Sequence, residues 1–398
     1  MDNDRTGQHS SKRLVRIAPI IRGLLARPTG NEDVPYEGVI LKSLTNREAV
    51  DFAACADNAK AEQYPAPLSK GQKPPLFLDN IDCNVEPEEL RKQLSNRISD
   101  YSQQHNCKPK IICVRDEGIL YLDQKEGEPD WPLNNKVALV TGAAGAIGYG
   151  VCCGLLENGC HLAATDLAGD KLDGFVEDLK QTAGGRVLGV GLDVTDKESV
   201  SRGFESVIKT WGGIDIVVVN AGIPLVSNLR EIELEAFRKL ERVNVEGALL
   251  TLSESANHFI LQGTGGDIIV ISSKNVPSPG AGFGAYSATK AACHQLGRIA
   301  SIELAQYDIR VNMVAPDAVF SEGKYKSGLW EEIGPDRMKA RGLDEKGLQE
   351  YYRSRNLLKA RVTGRHVANA VLFFATRQTP TTGVTIPVDG GLPDATPR

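Results

Sequence analysis

The 398-residue sequence has no run of about 20 apolar residues, the length a bilayer-spanning helix requires. Its most apolar early stretch, Ile17–Ala26, is interrupted by Pro19 and Arg22. There is no CxxC and no paired metal spacing among Cys55, Cys83, Cys107, Cys113, Cys152, Cys153, Cys160 and Cys293. These read as reduced thiols of a cytoplasmic protein rather than a disulfide framework. Histidine is scarce: the chain has 6, forms no HxH pair, and carries only His9 and His105 within 1–130. A metal site needs three or four suitable ligands, so none is expected. Neither sign of charge dominates. With 46 basic and 51 acidic residues the net charge is −5, which excludes a global pull toward nucleic acid or an anionic membrane. The opening MDNDRTGQHSSKR carries early acids and no apolar core of a secretory leader. Internal repeats and long low-complexity tracts are also missing. What remains is ordinary: 41% hydrophobic, 24% charged and 6% aromatic, values that exclude a largely disordered, collagen-like or coiled-coil chain. The length suggests about two or three domains.

The chain changes character at DQKEGEPDWPLNN, residues 123–135, a polar, acidic, proline-marked linker. Beyond it, short β-branched runs alternate with helical stretches. Strands are expected at Lys136–Thr141, His161–Asp166, Arg186–Asp193, Asp215–Asn220, Asp267–Ser272, Ile309–Ala315 and Val384–Val388. IDIVVVN and DIIVIS are near-continuous apolar runs, as buried parallel strands should be. Alternating β and α predicts an α/β domain over 133–398, an open parallel sheet with helices on both faces. Residues 1–130 form a smaller α/β or α+β region. It holds strands near Val39–Leu44 and Lys110–Val114, helices near Asn46–Asp57 and Glu86–His105, and a frayed first dozen residues.

The first strand of the larger domain runs into TGAAGAIG, Thr141–Gly148, and then a helix. A glycine-rich turn at a helix N-terminus lets the backbone approach a pyrophosphate and offers it free N–H groups. The next strand ends in Asp166, 18 residues after Gly148. A carboxylate there can accept from adenosine ribose hydroxyls and repels a 2′-phosphate, which predicts NAD(H) over NADP(H). Further on come Asn220-Ala221-Gly222 at a strand end, Asn244 in the helical RVNVEGALLTL, Ser273 after DIIVIS, and Tyr286 and Lys290 in YSATK. Tyr286 and Lys290, at i and i+4, share a helix face. A phenol is a poor base at neutral pH. An ammonium one turn away favours its phenolate form and so equips it to exchange a proton with an alcohol or carbonyl.

In this order, these motifs resemble the short-chain dehydrogenase/reductase family over about Asn135–Arg398. The resemblance implies a Rossmann-type doubly wound parallel sheet and a soluble homodimer or homotetramer. Ser273 would position the substrate oxygen, Tyr286 would act as acid–base, and Lys290 would also hold the nicotinamide ribose. Asn244 would order a water that links Lys290 to solvent. The implied cofactor contacts are Gly142, Gly145, Ala146, Ile147, Gly148, Asp166, Asp193, Val194, Asn220, Ala221, Gly222, Tyr286, Lys290, Pro316 and Val319. Two departures stand out. Ala146 replaces the second glycine of the family's TGxxxGxG, and Pro316-Asp317 replaces its usual Pro-Gly.

SSKNVPSPGAGFGAYSATKAA, IRVNMVAPDAVF, YYRSRNLLKARVT and TTGVTIPVDGGLPDATPR resemble the dehydrogenase half of bifunctional rhamnulose-1-phosphate aldolase/alcohol dehydrogenase proteins. Residues 20–120 are weakly similar to the later part of the aldolase half. Without that half's clustered histidines no aldolase activity is expected, and the region reads as a shortened remnant with a structural or docking role. The resemblance implies an NAD-dependent enzyme for lactaldehyde-like hydroxy-aldehydes or sugar-derived alcohols, sorbitol 6-phosphate among them. The alternative is a non-catalytic nucleotide-binding sensor or scaffold. An insertion at Ser321–Val362 carries Lys324, Lys326, Arg337, Lys339 and Arg341, balanced by Glu331, Glu332, Glu345 and Glu350. It is either a lid whose cations, with Lys274, receive a phosphate or carboxylate, or a solvated helical surface.

Overall fold

The computed structural model describes residues 5–55, 64–68, 73–123, 131–321, 324–325, 327–331 and 333–394. Most of the linker, 124–130, and the charged residues Lys326 and Glu332 lie outside the described residues. The chain divides into two compact units. One comprises Met1–Asp130 with Glu205–Ile214 and His258–Thr264; the other comprises Trp131–Phe204, Asp215–Asn257 and Gly265–Arg398.

The first unit begins with α1 (Arg5–Leu25), followed by a two-residue antiparallel ribbon of β1 (Arg27–Pro28) and β2 (Tyr36–Glu37). Then come β3 (Leu41–Leu44), α2 (Arg47–Ala54), β4 (Leu76–Leu78), α3 (Pro87–His105), β5 (Ile111–Val114) and β6 (Gly118–Leu122). Four strands form a mixed sheet in the order β3-β6-β5-β4, parallel only between β4 and β5.

The expected fraying of the first dozen residues is corrected, because α1 already begins at Arg5. Leu14, Ile17, Ile21 and Leu25 recur every three or four residues and are buried with Leu90, Leu94 and Ile98 of α3. That stripe holds the helix together despite Pro19, which removes one backbone donor. Arg22, the other interruption, is 2% exposed. Its Nε donates to the Val39 carbonyl at 2.7 Å and its Nη1 to Gln262 Oε1 at 3.1 Å, so its burial is compensated. Asn46 caps α2 by accepting from Ala49 N–H at 2.9 Å, and Pro87 opens α3 with Glu88 and Glu89 in its first turn. The sequence reading passed over β6. A turn with Asp116 and Gly118 at positive φ folds it back on β5.

The second unit holds β7 (Val137–Thr141), α4 (Ala146–Glu157), β8 (His161–Asp166), α5 (Asp170–Ala183), β9 (Val187–Gly191), α6 (Lys197–Trp211) and β10 (Ile216–Val219). After these come α7 (Leu234–Glu241), α8 (Gly247–Gln262), β11 (Gly266–Ile271), α9 (Gly284–Leu304) and β12 (Ile309–Pro316). The insertion contributes α10 (Gly328–Glu331), α11 (Gly334–Arg341) and α12 (Glu345–Arg355), before α13 (Gly364–Ala375) and β13 (Thr385–Val388). The C-terminal parts of α6 and α8 belong to the first unit.

Seven parallel strands form one sheet in the order β13-β12-β11-β10-β7-β8-β9. This is the doubly wound topology expected, and the chain reverses direction across the sheet between β7 and β10. Ligands of such sheets sit outside the carboxyl ends of the strands at that switch point. Every residue of β10 and β11 is buried, which explains why their sequences do not alternate. Helices α4 and α13 pack backbone to backbone on one face. A β-carbon on Gly150 would collide with the Gly364 backbone, and one on Gly154 would lie 3.0 Å from Ala368 Cβ. At the far end of the sheet Arg377 donates to Asp267 Oδ2 at 2.9 Å and to Asp308 Oδ2 at 3.0 Å, tying β11 to the turn before β12.

The α4–α13 contact gives a stability prediction. Gly150→Val should lower the unfolding free energy by about 1–3 kcal/mol, the usual cost of overpacking. Urea denaturation measures it, and an unchanged midpoint would show that the two helices are not in such close contact.

Candidate active site

The sequence-predicted residues come from the C-terminal ends of six strands, β7 to β12, together with the turn Arg242–Glu246 and helix α9. Gly142 follows β7 at φ +61, and a β-carbon there would sit 2.8 Å from Ala221 Cα. Glycine is required for both reasons. Gly148 is equally constrained, since a β-carbon would strike Ala143. Gly145 is the N-cap of α4 and brings no side-chain acceptor, so the first-turn N–H groups carry no side-chain cap. Ala146 and Ile147 open the helix behind it. Ala146, the departure from the family's glycine, is buried at 3% exposure.

Asp166, at the end of β8, accepts from Ala144 N–H at 3.0 Å and from Leu167 N–H at 2.9 Å. It therefore braces the glycine-rich loop as well as standing beside it. Asp193 turns its carboxylate inward, accepting from Thr195 N–H at 2.9 Å and Thr195 Oγ1 at 2.8 Å. Val194 is buried, and a β-carbon on Gly247 would lie 2.7 Å from its Cγ2. Asn220 joins two strands: its Nδ2 donates to the carbonyls of Thr141 and Gly142 at 2.9 and 2.8 Å. Thr141 Oγ1 in return accepts from Asn220 N–H and Ala221 N–H at 3.0 and 3.1 Å.

Asn244 is 1% exposed and lies in a π-helical turn, Arg242–Glu246, between α7 and α8. The sequence reading expected plain helix there; one-turn π segments are frequent at functional sites. Its Oδ1 accepts from Ile223 N–H at 2.9 Å, and its Nδ2 donates to Ile223 O at 3.0 Å and to Thr289 Oγ1 at 3.1 Å. Lys290 is 6% exposed, and its Nζ donates to the Ile271 carbonyl at 3.0 Å. A β-carbon on Gly222 would lie 3.1 Å from Asn244 Oδ1 and 3.3 Å from Lys290 Nζ, so a side chain there would crowd both groups. Ser273 Oγ, just past β11, accepts from Asn275 N–H at 3.1 Å.

A cavity of about 380 Å³ joins these ends. Its walls include Ile147, Asn220, Gly222, Ser273, Tyr286, Lys290, Pro316 and Val319. That volume suits a small ligand. Gly142, Gly145, Ala146, Gly148, Asp166, Asp193, Val194, Ala221 and Asn244 do not line it. Ala221 follows β10 and Asn244 lies close behind Gly222; the others belong to the loops on the β7–β8–β9 side. A larger hollow of about 930 Å³, bordered by Tyr149, Cys153, Asp178 and Tyr325, contains none of the predicted catalytic or cofactor-binding residues. Among the described residues no group of three metal-capable side chains occurs.

The insertion supplies the remaining wall, and here the sequence reading was incomplete. Arg337, Arg341, Tyr351, Tyr352 and Arg355 face the cavity beside Lys274. Lys324 does not: it pairs with Asp178 and borders the larger hollow. Lys339 is exposed and lines neither. The expected balancing acids are engaged elsewhere, Glu350 with Arg353 at 2.8 Å and Glu345 with Gln349 at 3.4 Å. The Asp317 departure now has a physical reason. Arg355 Nη2 donates to both Asp317 oxygens, at 2.8 and 2.7 Å, while its guanidinium lies 4.6 Å from the Tyr352 ring centroid. The residue replacing a glycine after β12 thus anchors α12. An acid two residues past the strand-end alanine and a guanidinium 38 positions later were the only signals in the sequence, and nothing in their spacing pairs them.

A family model described as short chain dehydrogenase matches residues 136–332. Glucose 1-dehydrogenase of Gluconobacter oxydans is 33% identical over 258 residues, 65% of this chain and 91% of that protein. The chain belongs to the short-chain dehydrogenase family. An uncharacterized oxidoreductase of Bacillus subtilis, YuxG, is 35% identical over 68% of this chain, which spans 39% of that protein's length. Among solved structures, sorbitol-6-phosphate 2-dehydrogenase SrlD of Erwinia amylovora aligns with a TM-score of 0.59 at 28% identity. That alignment covers 64% of this chain and 98% of that one. The matched part of the chain is an oxidoreductase domain of the kind that acts on CH–OH donors.

Removing the anchor should be measurable. Asp317→Ala leaves Arg355 half-buried and unpaired and should cost about 3 kcal/mol, as when one partner of a buried pair is lost. Thermal melting and limited trypsin cleavage after Arg353 report it; an unchanged melt and digestion pattern would contradict the anchoring role.

Proposed function

We propose that the protein is an NAD-dependent dehydrogenase that interconverts a sugar-derived secondary alcohol or hydroxy-aldehyde and its carbonyl. The observation that carries this reading is the convergence of Ser273, Tyr286 and Lys290 on one cavity at the β7–β10 switch point. A nicotinamide dinucleotide fits the residues beside it: a glycine turn, a helix start without a side-chain cap, and a carboxylate at the end of the second strand. Gly142, Gly145, Ala146, Ile147 and Gly148 would hold the pyrophosphate and Asp166 the adenosine ribose. Val319, whose carbonyl accepts from Trp330 Nε1 at 3.0 Å, would offer its N–H to the carboxamide. Hydride exchange with the substrate carbon is the chemistry that nicotinamide supplies when bound.

The chain's own residues manage the proton. Tyr286 takes it from the alcohol or returns it to the carbonyl oxygen, and Ser273 Oγ holds that oxygen. Lys290 spends one N–H on Ile271 O and keeps two, for the nicotinamide ribose and for the phenol. Asn244 has both Nδ2 hydrogens engaged, so a water between it and Lys290 would bind through the free lone pair of Oδ1. The names of the glucose and sorbitol-6-phosphate dehydrogenase relatives favour a polyol or sugar substrate. The complete Ser–Tyr–Lys set disfavours a nucleotide sensor without turnover. Exposed Leu249 on α8 with Ile299 and Ile302 on α9 suits burial in a homodimer or homotetramer. We also assign the protein to the cytoplasm, and residues 1–130 to a structural role as a shortened aldolase-like remnant.

Two measurements test the reading. Tyr286→Phe should lower kcat by about 10²–10⁴-fold, the range for loss of a general acid–base. NADH binding, followed by fluorescence, should persist; full turnover in this variant would defeat the mechanism. Asp166→Ala should narrow the gap between NAD and NADP in kcat/KM by at least about tenfold, and unchanged discrimination would remove Asp166 from the ribose site.

A further inference from the structure

Five cations and one carboxylate line the cavity among the described residues: Lys274, Lys290, Arg337, Arg341 and Arg355 against Asp317. Asp317 is consumed by Arg355, and Lys290 gives one of its three N–H groups to the Ile271 carbonyl and is assigned to the reacting end of the cavity. Lys274 Nζ donates only to Ser278 O, at 3.2 Å. Arg337 and Arg341 meet aromatic faces rather than acids. Arg337 lies 5.0 Å from the Phe283 ring centroid and Arg341 lies 4.0 Å from that of Tyr351. Aromatic faces hold a guanidinium in place while leaving its in-plane N–H groups free.

The polar atoms around these cations are also unpaired. Arg337 Nε, Tyr352 OH and Asn275 Oδ1 are buried without a hydrogen-bond partner, and Tyr352 and Asn275 are 4% and 5% exposed. Buried polar groups are seldom left unsatisfied, so orphaned ones that line a cavity point to a ligand that completes them. Two of the three are donors, and the third is an acceptor suited to a hydroxyl. Burial pushes the Lys274 ammonium below its ordinary range, helped by Arg355 and Arg337, although Asp317 opposes it. An anion entering this wall would relieve that crowding of positive charge.

We propose that this wall, Arg337 and Arg341 supported by Lys274 and Tyr352, binds an anionic terminal group of the substrate, a phosphate monoester or a carboxylate. The proposal rests on the dehydrogenase reading for what happens at the other end of the molecule. Arg337 touches Phe283, whose ring centroid is 6.2 Å from that of Tyr286, so two ring contacts in series connect the cation to the acid–base residue. A short polyol chain can span that interval, with one end at the guanidinium and a secondary hydroxyl at Tyr286.

The test uses the full-length protein. Initial rates with NAD are measured for D-sorbitol 6-phosphate, D-gluconate and D-sorbitol in wild type, Arg337→Gln and Arg341→Gln. An anionic compound should exceed D-sorbitol in kcat/KM by at least about tenfold, the worth of one charge-assisted hydrogen bond. Each variant should lose most of that margin through KM, and Arg341→Lys should recover part of it. Which anion leads separates phosphate from carboxylate recognition. Equal kcat/KM for the three compounds would overturn the anion site and leave the dehydrogenase reading standing. Independently of turnover, inorganic phosphate and acetate are each titrated calorimetrically into the NAD-saturated protein, and binding of either counts. Binding that disappears in the Arg337→Gln/Arg341→Gln double variant supports the site. Binding that is absent in wild type, or unchanged in the double variant, overturns it. Arginine-dependent phosphate binding combined with full activity of Tyr286→Phe would instead retain the anion site and defeat the catalytic reading.

Discussion

The side chain of Asn220 bridges the gap where β7 and β10 part. Parallel strands that diverge leave backbone groups without partners, and water or ligand can enter there. Asn220 and Thr141 close the ladder with four hydrogen bonds, so the crevice opens only beyond them. The glycine turn that follows is fixed on one side by this cross-link and on the other by the Asp166 carboxylate on Ala144 N–H. A pocket that aligns bound groups needs walls that do not drift. Here both walls are held by side chains that spend their polar atoms on backbone.

The opposite rim is built differently. It comes from an insertion of short helices, α10 to α12, whose main polar tie to the strand layer is the Asp317–Arg355 pair. Around that pair the contacts are aromatic: Trp330 on Tyr352 at 5.5 Å, Phe320 on Trp330 at 5.2 Å, and Arg341 over Tyr351. Such contacts fix where a cation sits while leaving its donors exposed to the cavity. Ser273, Tyr286 and Lys290 thus face a wall of cationic and aromatic residues that the insertion supplies.

Much of this was legible in the residues. Seven strand positions and the open parallel sheet followed from apolar runs and their alternation with helices, because a buried parallel sheet leaves few other compositions possible; the strand order that places the switch point between β7 and β10 came only with the structure. Gly142 and Gly148 were readable from the glycine-rich turn between a strand and a helix, and their surroundings admit no β-carbon. What was not legible involved partners far apart in sequence. Arg355 gave no sign that it would take Asp317, and Lys324 and Arg337 looked alike although one pairs with Asp178 and the other faces the cavity. The early helix α1 was obscured by Pro19 and Arg22, two residues that argue against helix locally. Both are tolerated because one face is buried and the guanidinium finds Val39 and Gln262. Strand β6 was missed because its evidence is a turn geometry at Asp116 and Gly118 rather than a long apolar run.

Arg22 also bears on how the polypeptide can be divided. The acidic stretch after residue 123 looks like a natural place to cut, yet the first unit takes in Glu205–Ile214 and His258–Thr264 from far downstream. Within that unit Gly212 lies close against Leu41, and Gly23 against the Gln262 carbonyl. A fragment started at Trp131 would keep those two later pieces and discard what covers them, baring Ile208 and the Gln262 amide to water. Expression trials that trim the leader for convenience should therefore yield sticky, poorly behaved material, whatever the catalytic residues are capable of.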